Sequence, residues 1–415
     1  MSRLLGNGTT EEQVPHRTDA GDRPRLVVVA STFPAHAGDG IPAFVRDLSL
    51  RLGQTFETVV LVPRVPGAPR RERLDDIEVE RFPYFPRRWE TLADGAILEN
   101  LRERRARWLQ VLPFLVGESL HLRRLIKRHD PDVLHINWIV PQGLVALAVG
   151  RGIPWVVTTH GADVYAMGDP ITRRFKRAIL RRAAAVTAVN ADMRDRLVRA
   201  GADPATAFVQ TTGADVQQFR SLAGGRTPIP GRILFVGRLV EKKGLTVLLD
   251  AVRRLPEDLD WSLEAAGDGP LRQQLEQQAA DLPGVSFRGS ASREQLAAAY
   301  AEASVVVVPS VPATSGDQDG LPIVLLEALG MGRAVVASDL PGLNEALTDG
   351  ETGLLVPPGD VDALAAALAR VLRDDQLRVG LGEAGAVRSN DYTVEACAKR
   401  FAEILSAASR EGNGA

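Results

Sequence analysis

The run Val305 to Val308, four valines ending at Pro309 and Ser310, constrains this chain most. Four β-branched residues with no polar alternation make a strand buried on both faces, as in a parallel sheet covered by helices. A polar loop follows and ends in Asp317-Gln318-Asp319-Gly320. Leu321 to Met331 then reads as a short helix, with Pro322 tolerated in its first turn. Ala334 to Ala337 opens the next strand. Such a unit presents its loop at the carboxyl edge of the sheet, where ligands bind.

Glu327 is the only charge between Leu321 and Gly332, on a helix apolar almost all round. A helix of that kind is buried, and a buried carboxylate is costly unless paired or hydrogen-bonded. Asp319 lies eight residues earlier, where the amides of Gly320, Leu321 and Ile323 form an anion site. One unit therefore offers a phosphate-binding helix end and two carboxylates for hydroxyls, and a sugar nucleotide carries both kinds of group. A plainer assignment also fits: Asp319 as a helix cap, and Glu327 paired with Arg333 or solvated.

A chain of 415 residues, 45% of them hydrophobic, can bury two cores, so two domains are expected. The charge is divided unevenly. Residues 1–215 carry 31 Lys+Arg against 25 Asp+Glu, and the remainder 19 against 27. A basic first half suits an anionic surface or substrate; scattered solvated charge is the alternative. The single cysteine, Cys397, excludes an internal disulfide framework. No apolar run approaches the roughly 18 residues of a spanning helix. Residues 1–23 are polar and lack a signal-peptide core, which predicts a disordered tail and a cytoplasmic protein.

Arg25 to Ala30 reads as a buried strand. The loop after it holds Gly38 and Gly40, where backbone can approach a bound group closely, but it is not G-x-G-x-x-G. Further strands are predicted at Thr58 to Pro63, Ile77 to Arg81, Asp132 to Ile136, Ile153 to Thr159, Ala185 to Val189 and Ala207 to Thr211. The strand ending at Thr159 delivers His160-Gly161-Ala162-Asp163 to a carboxyl edge. Ile97 to His129 has a helical pattern, with Arg102, Arg104, Arg105, Arg107, Arg123, Arg124, Lys127 and Arg128 beside leucines. That surface suits anionic lipid or is the solvated face of a packed helix.

Gly213-Ala214-Asp215 and the Gly-rich Ser221 to Pro230 read as a linker. A second α/β unit starts at Arg232, and the loop after its first strand carries Arg238, Lys242 and Lys243. Of these, Arg238 and Lys243 stand at the sheet's carboxyl edge, and two fixed cations facing a helix N-terminus are what a departing pyrophosphate needs. Strands at Trp261 to Ala266 and Val285 to Phe287 and helices at Val361 to Arg373, Gln376 to Val387 and Thr393 to Ser409 complete the pattern. The predicted architecture is α/β, two doubly wound sheets facing across a cleft. Residues 24–215 form the first domain, 216–389 the second, and a helix near 390–410 returns to the first.

Taken together, the motifs resemble the family-4 glycosyltransferases (GT4), retaining enzymes of the GT-B fold with two Rossmann-like domains. The motifs are Gly237-Arg238…Lys243-Gly244, Gly267-Asp268-Gly269-Pro270, Asp319-Gly320-Leu321-Pro322…Glu327-Ala328, the Gly38–Gly40 loop, His160-Gly161-Ala162-Asp163 and Gly213-Ala214-Asp215. The family pattern has two glutamates separated by seven residues; here the first is Asp319, one methylene shorter. It also has Asn where Thr212 stands.

The resemblance implies a hexose moved from a nucleoside-diphosphate sugar, with Arg238 and Lys243 on the diphosphate and Glu327 on the ribose. Asp319 would hold the sugar hydroxyls, with His160 beside the sugar. Arg288 would lie near the base, and Gly40 would let its loop close on the phosphates. Gly320, Leu321, Pro322 and Ile323 supply the helix end. No metal, no other cofactor and no nucleic acid is implied. The acceptor is not readable: a glycan, a glycolipid and a small molecule all fit. An epimerase and an inactive sugar-nucleotide-binding module are the alternatives, and Asp317-Gln318-Asp319 admits a metal-binding reading. A dehydrogenase lacks its glycine fingerprint.

Overall fold

The computed structural model describes residues 23–35, 43–93, 97–165 and 169–413, so Gly40 and its loop lie outside the described residues. The first sheet comprises β1 (Arg25–Val29), β2 (Glu57–Pro63), β3 (Arg71–Leu74), β4 (Ile77–Phe82), β5 (Val133–Asn137), β6 (Trp155–Thr159), β7 (Ala185–Ala188) and β8 (Ala207–Val209). Its order is β3-β4-β2-β1-β5-β6-β7-β8. The second comprises β9 (Arg232–Val236), β10 (Ser262–Ala266), β11 (Val285–Gly289), β12 (Val305–Val308), β13 (Ala334–Ser338) and β14 (Leu354–Val356), in the order β11-β10-β9-β12-β13-β14. Both are doubly wound, and every pairing is parallel except β3 with β4.

The uninterrupted apolar runs follow from this topology. Leu26 and Val28 of β1 pack on one side with Val60, Val62 and Phe401, while Val27 and Val29 pack on the other with Leu61, Phe82 and Phe114. In β12, Val305 and Val307 face Phe235 and Leu368, while Val306 and Val308 face Leu325 and Leu329. With both faces covered, every position must be apolar. The C-terminal helix Val394–Asn413 places Phe401, Leu405 and Ala408 on the first sheet. Beside the crossing point, the Ala214 amide donates to the Tyr392 carbonyl at 2.9 Å and the Val394 amide to the Ala214 carbonyl at 3.0 Å.

Three elements differ from expectation. Strand β3, with the sequence RERL, was hidden by its charges; it is an edge strand, where charge blocks further pairing. The helical pattern from Ile97 breaks into Ile97–Glu103, a 3-10 turn Arg105–Gln110 and a long helix Val111–His129. The break falls at Arg104, which is extended, and Gln110 is drawn aside to accept from the Thr91 and Leu92 amides at 3.2 Å. The expected linker is interrupted by a helix, Val216–Ala223, because Asp215 caps it by accepting from the Gln218 amide and Phe219 is buried.

The long helix also buries Glu118 completely. Burial pushes this carboxyl up to about 8; Gln142 opposes the shift, although no hydrogen bond joins the two side chains. The folded protein therefore holds a proton that the unfolded chain releases near 4.5. Stability is fullest below that pH and falls by up to about 1.4 kcal/mol per pH unit as pH rises through about 8. Glu118→Gln should remove this loss, giving a higher urea midpoint than the wild type at pH 8. An unchanged pH dependence of the midpoint would exclude Glu118 as its source.

Candidate functional site

The loops at the carboxyl edge of the second sheet are locked together by close backbone contacts. Gly244 has φ +67°, and a Cβ there would overlap the Pro309 carbonyl oxygen, so only glycine lets the β9 loop lie against the β12 loop. That contact brings Lys243 to Asp319, with Nζ 2.9 Å from Oδ2. Asp319 also accepts from the Ser310 hydroxyl at 2.7 Å, and Lys242 reaches Asp317 at 3.0 Å. Asp319 is only 7% exposed. Burial alone would raise its carboxyl, but the charges of Lys243 and Lys242 outweigh this and hold it below the usual carboxylate range.

Asp319 is not a helix cap. The helix runs from Ile323 to Gly330, its cap position is Pro322, and no side chain caps its first turn. Glu327 does not pair with Arg333, whose guanidinium donates to the Met331, Ala301 and Ala303 carbonyls. Instead Glu327, 9% exposed, accepts a hydrogen bond from the Tyr300 hydroxyl at 2.7 Å. Burial raises its carboxyl to about 7, against the opposing Tyr300 bond and the positive charge of Arg293. Arg293 is itself paired with Asp47 of the first domain and lies over the Phe219 ring at 5.3 Å.

The first domain contributes the loops after β5 and β6. Asp163, almost fully buried, accepts from the Ile139, His160 and Gly161 amides at 3.1–3.2 Å and so ties the two loops together. The His160 ring lies between Phe44 and Trp138, with centroids 4.9 and 4.7 Å away. Its Nε2 meets Asn137 Oδ1 at 3.0 Å, while Asn137 Nδ2 donates to the Val29 carbonyl. The amide orientation makes Nε2 the protonated nitrogen and leaves Nδ1 as the acceptor. Burial first, and His135 second, lower the imidazole to about 3, so it is neutral. Gly161, at φ +127°, lies where a Cβ would come within 3.3 Å of the Gln318 carbonyl oxygen. The His160 loop therefore abuts the Asp319 loop, and Asn190 adds a cross-domain hydrogen bond to the Gly320 carbonyl at 2.9 Å.

The structure thus brings Lys243, Asp319, Gly320 and the His160 loop together, with Glu327 buried on the helix behind them. Arg238 occupies the same β9 loop, and its charge is felt by Glu103 of the first domain, whose carboxyl is held down mainly by Arg107. Arg288 pairs with Glu264 at the sheet edge rather than standing alone. Tyr300, Arg293, Asp47, Ser310 and Asn137 were missed in the sequence. Each is an ordinary residue of an ordinary segment, and only the packing of separate elements brings it to the site.

Residues 38–218 match the model of Glycosyltransferase Family 4, and residues 230–374 that of Glycosyl transferases group 1. A GDP-mannose-dependent alpha-(1-6)-phosphatidylinositol monomannoside mannosyltransferase of Mycolicibacterium smegmatis is 29% identical over 400 residues, 92% of this chain and 98% of that protein. A phosphatidyl-myo-inositol mannosyltransferase of the same organism is 35% identical over 312 residues, 70% of this chain and 76% of that protein. Among solved structures, sucrose-phosphate synthase from Thermosynechococcus elongatus superposes with a TM-score of 0.74 at 22% identity, covering 93% of this chain and 99% of that one. Anabaena HepE in complex with UDP and glucose gives 0.68 at 18% identity, covering 93% and 100%. These likenesses show the GT-B fold, and with the two domain matches they make this chain a glycosyltransferase belonging to family 4.

Proposed function

We propose that this glycosyltransferase moves a hexose from a nucleoside-diphosphate sugar to an acceptor hydroxyl with retention of configuration and without a metal ion. The observation that carries this reading is the close approach of Gly161 in the His160 loop to Gln318 and Gly320, the neighbours of Asp319, which is paired with Lys243. Lys243 and the end of the Ile323–Gly330 helix would hold the diphosphate; Asp319 would take hydroxyls of the sugar and Glu327 those of the ribose. Mannosyltransferase relatives that are GDP-mannose-dependent and a neighbour holding UDP and glucose support a sugar nucleotide as donor. In the transfer, the bond from the anomeric carbon to the diphosphate oxygen breaks and the acceptor oxygen bonds to the same face. The acceptor proton passes to the departing phosphate oxygen. Lys243 stabilises charge that grows on that oxygen, and the neutral His160 offers Nδ1 as an acceptor rather than a cation.

The paired lysines also support the metal-free reading: Asp317 and Asp319 already have ammonium partners at 3.0 and 2.9 Å. Donor turnover should survive EDTA; full loss restored by manganese would overturn this part. Asp319→Glu restores the residue of the family pattern. It is expected to retain or raise turnover, measured as transfer from UDP-, GDP- and ADP-sugars, and complete loss would mean that this carboxylate does not hold the sugar. The anomeric configuration of the product, read by NMR, decides between retention and inversion.

A further inference from the structure

The outer face of the first domain carries a row of large apolar side chains that nothing among the described residues covers. Trp108, Leu109 and Leu112 are 61%, 74% and 70% exposed, and Val116, Leu120 and Trp89 are each about half exposed. Leu112, Val116 and Leu120 recur every fourth residue along the helix Val111–His129, so they form one stripe. Trp108 and Leu109 extend it into the preceding 3-10 turn. Trp89 joins from the neighbouring loop, which Gln110 fixes through the Thr91 and Leu92 amides at 3.2 Å. A contiguous apolar surface of this kind on a folded chain marks an interaction site.

The charges around it select the occupant. The same stripe continues as Arg123, Arg124 and Lys127, all exposed and none in an ion pair among the described residues. Arg104 and Arg105 flank the other end, and Arg88 stacks on Trp89 at 4.3 Å. Tryptophan and leucine flanked by Arg88, Arg105, Arg123, Arg124 and Lys127, with Glu103 beside Arg104 as an acidic neighbour, suit the headgroup boundary of an anionic bilayer. A second copy of the chain would bring like charges together.

We infer that this face docks on an anionic membrane. The face belongs to the first domain, whose loops meet the donor domain at the cleft, where the Asn190 amide donates to the Gly320 carbonyl at 2.9 Å. A docked enzyme holds its acceptor side against the headgroups, so the acceptor is carried by a lipid; this last step rests on the transferase reading above.

The test is co-sedimentation of the full chain with phosphatidylcholine vesicles, with and without phosphatidylglycerol. The protein should pellet with the anionic vesicles and stay in solution with the neutral ones. Leu109→Glu/Leu112→Glu and Arg123→Glu/Arg124→Glu should each weaken the anionic binding at least about tenfold. Donor hydrolysis without vesicles should be unchanged in both. Wild-type binding to neither vesicle, or undiminished binding by the double glutamate variants, overturns the inference. So does a wild-type dimer that Leu109→Glu/Leu112→Glu splits, which would make the face a protein interface. An absence of transfer activity in the wild type would instead remove the transferase reading and the lipid-borne acceptor, while vesicle binding still decides the docking.

Discussion

Lys243→Ala is expected to lower kcat/KM for the donor by about tenfold to a thousandfold while the protein stays folded. The ammonium lies at the carboxyl edge of the second sheet, partly buried, with Asp319 Oδ2 2.9 Å away. Before the donor arrives, this pair neutralises itself. When a diphosphate enters beside the Ile323–Gly330 helix, the lysine has a second anion to meet, and the charge on that anion grows as the sugar leaves. Interactions that strengthen towards the transition state appear in kcat, so the loss should not be confined to KM. Truncation has a further effect. Asp319 would keep the Ser310 hydroxyl, but its nearest remaining cation would be Lys242, 3.9 Å from Oδ1. The effects of Lys243→Ala and Asp319→Ala should therefore fall short of adding, because each already disables the other's partner. Steady-state kinetics of the two single variants and the double variant measure this directly. An unchanged rate in Lys243→Ala would take the lysine out of the site.

The second large effect is expected at Glu327. Replacing it by alanine should raise the donor KM about a hundredfold, as expected when a site built to hold hydroxyls loses a buried acceptor, with a smaller change in kcat. The pH dependence separates this from a packing defect. Burial lifts the carboxyl to about 7, and hydroxyl donors of a ribose favour the ionised form. Donor affinity should then rise as pH rises to about 7 and level off above it. Glu327→Gln keeps the volume and removes the titration, so its KM should show no such step. Tyr300→Phe should shift the step to higher pH, since the Tyr300 bond at 2.7 Å favours the carboxylate. A pH profile identical in wild type and Glu327→Gln would show that this acid does not hold the donor.

Much of the fold was legible because burial on both faces writes itself into composition. A strand covered on each side, such as β12 or β1, must be apolar at every position, and the loop after it must be polar or glycine-rich. Edges obey a different rule: β3 is charged because it lies at the sheet margin, so periodicity could not find it. Glu327 was legible for the same reason that the strands were, as a lone charge on an apolar helix. Its actual partner was not, since Tyr300 lies on the helix Arg293–Glu302 and meets Glu327 only through tertiary packing. Arg288 shows the converse: it stands at an expected position, but Glu264 of the adjacent strand takes its guanidinium.

From residues alone came the two parallel-sheet domains, the loops that meet at their carboxyl edges and the charged groups placed in them, because hydrophobic periodicity and glycine positions are local properties. Only the tertiary structure decided which charges pair, that Asp319 holds Lys243 rather than capping a helix, that Asn137 sets the tautomer of His160, and that a stripe of leucines faces outward. Those outcomes depend on distances between segments far apart in the chain, and electrostatic and hydrogen-bond energies are set by such distances rather than by order along the sequence.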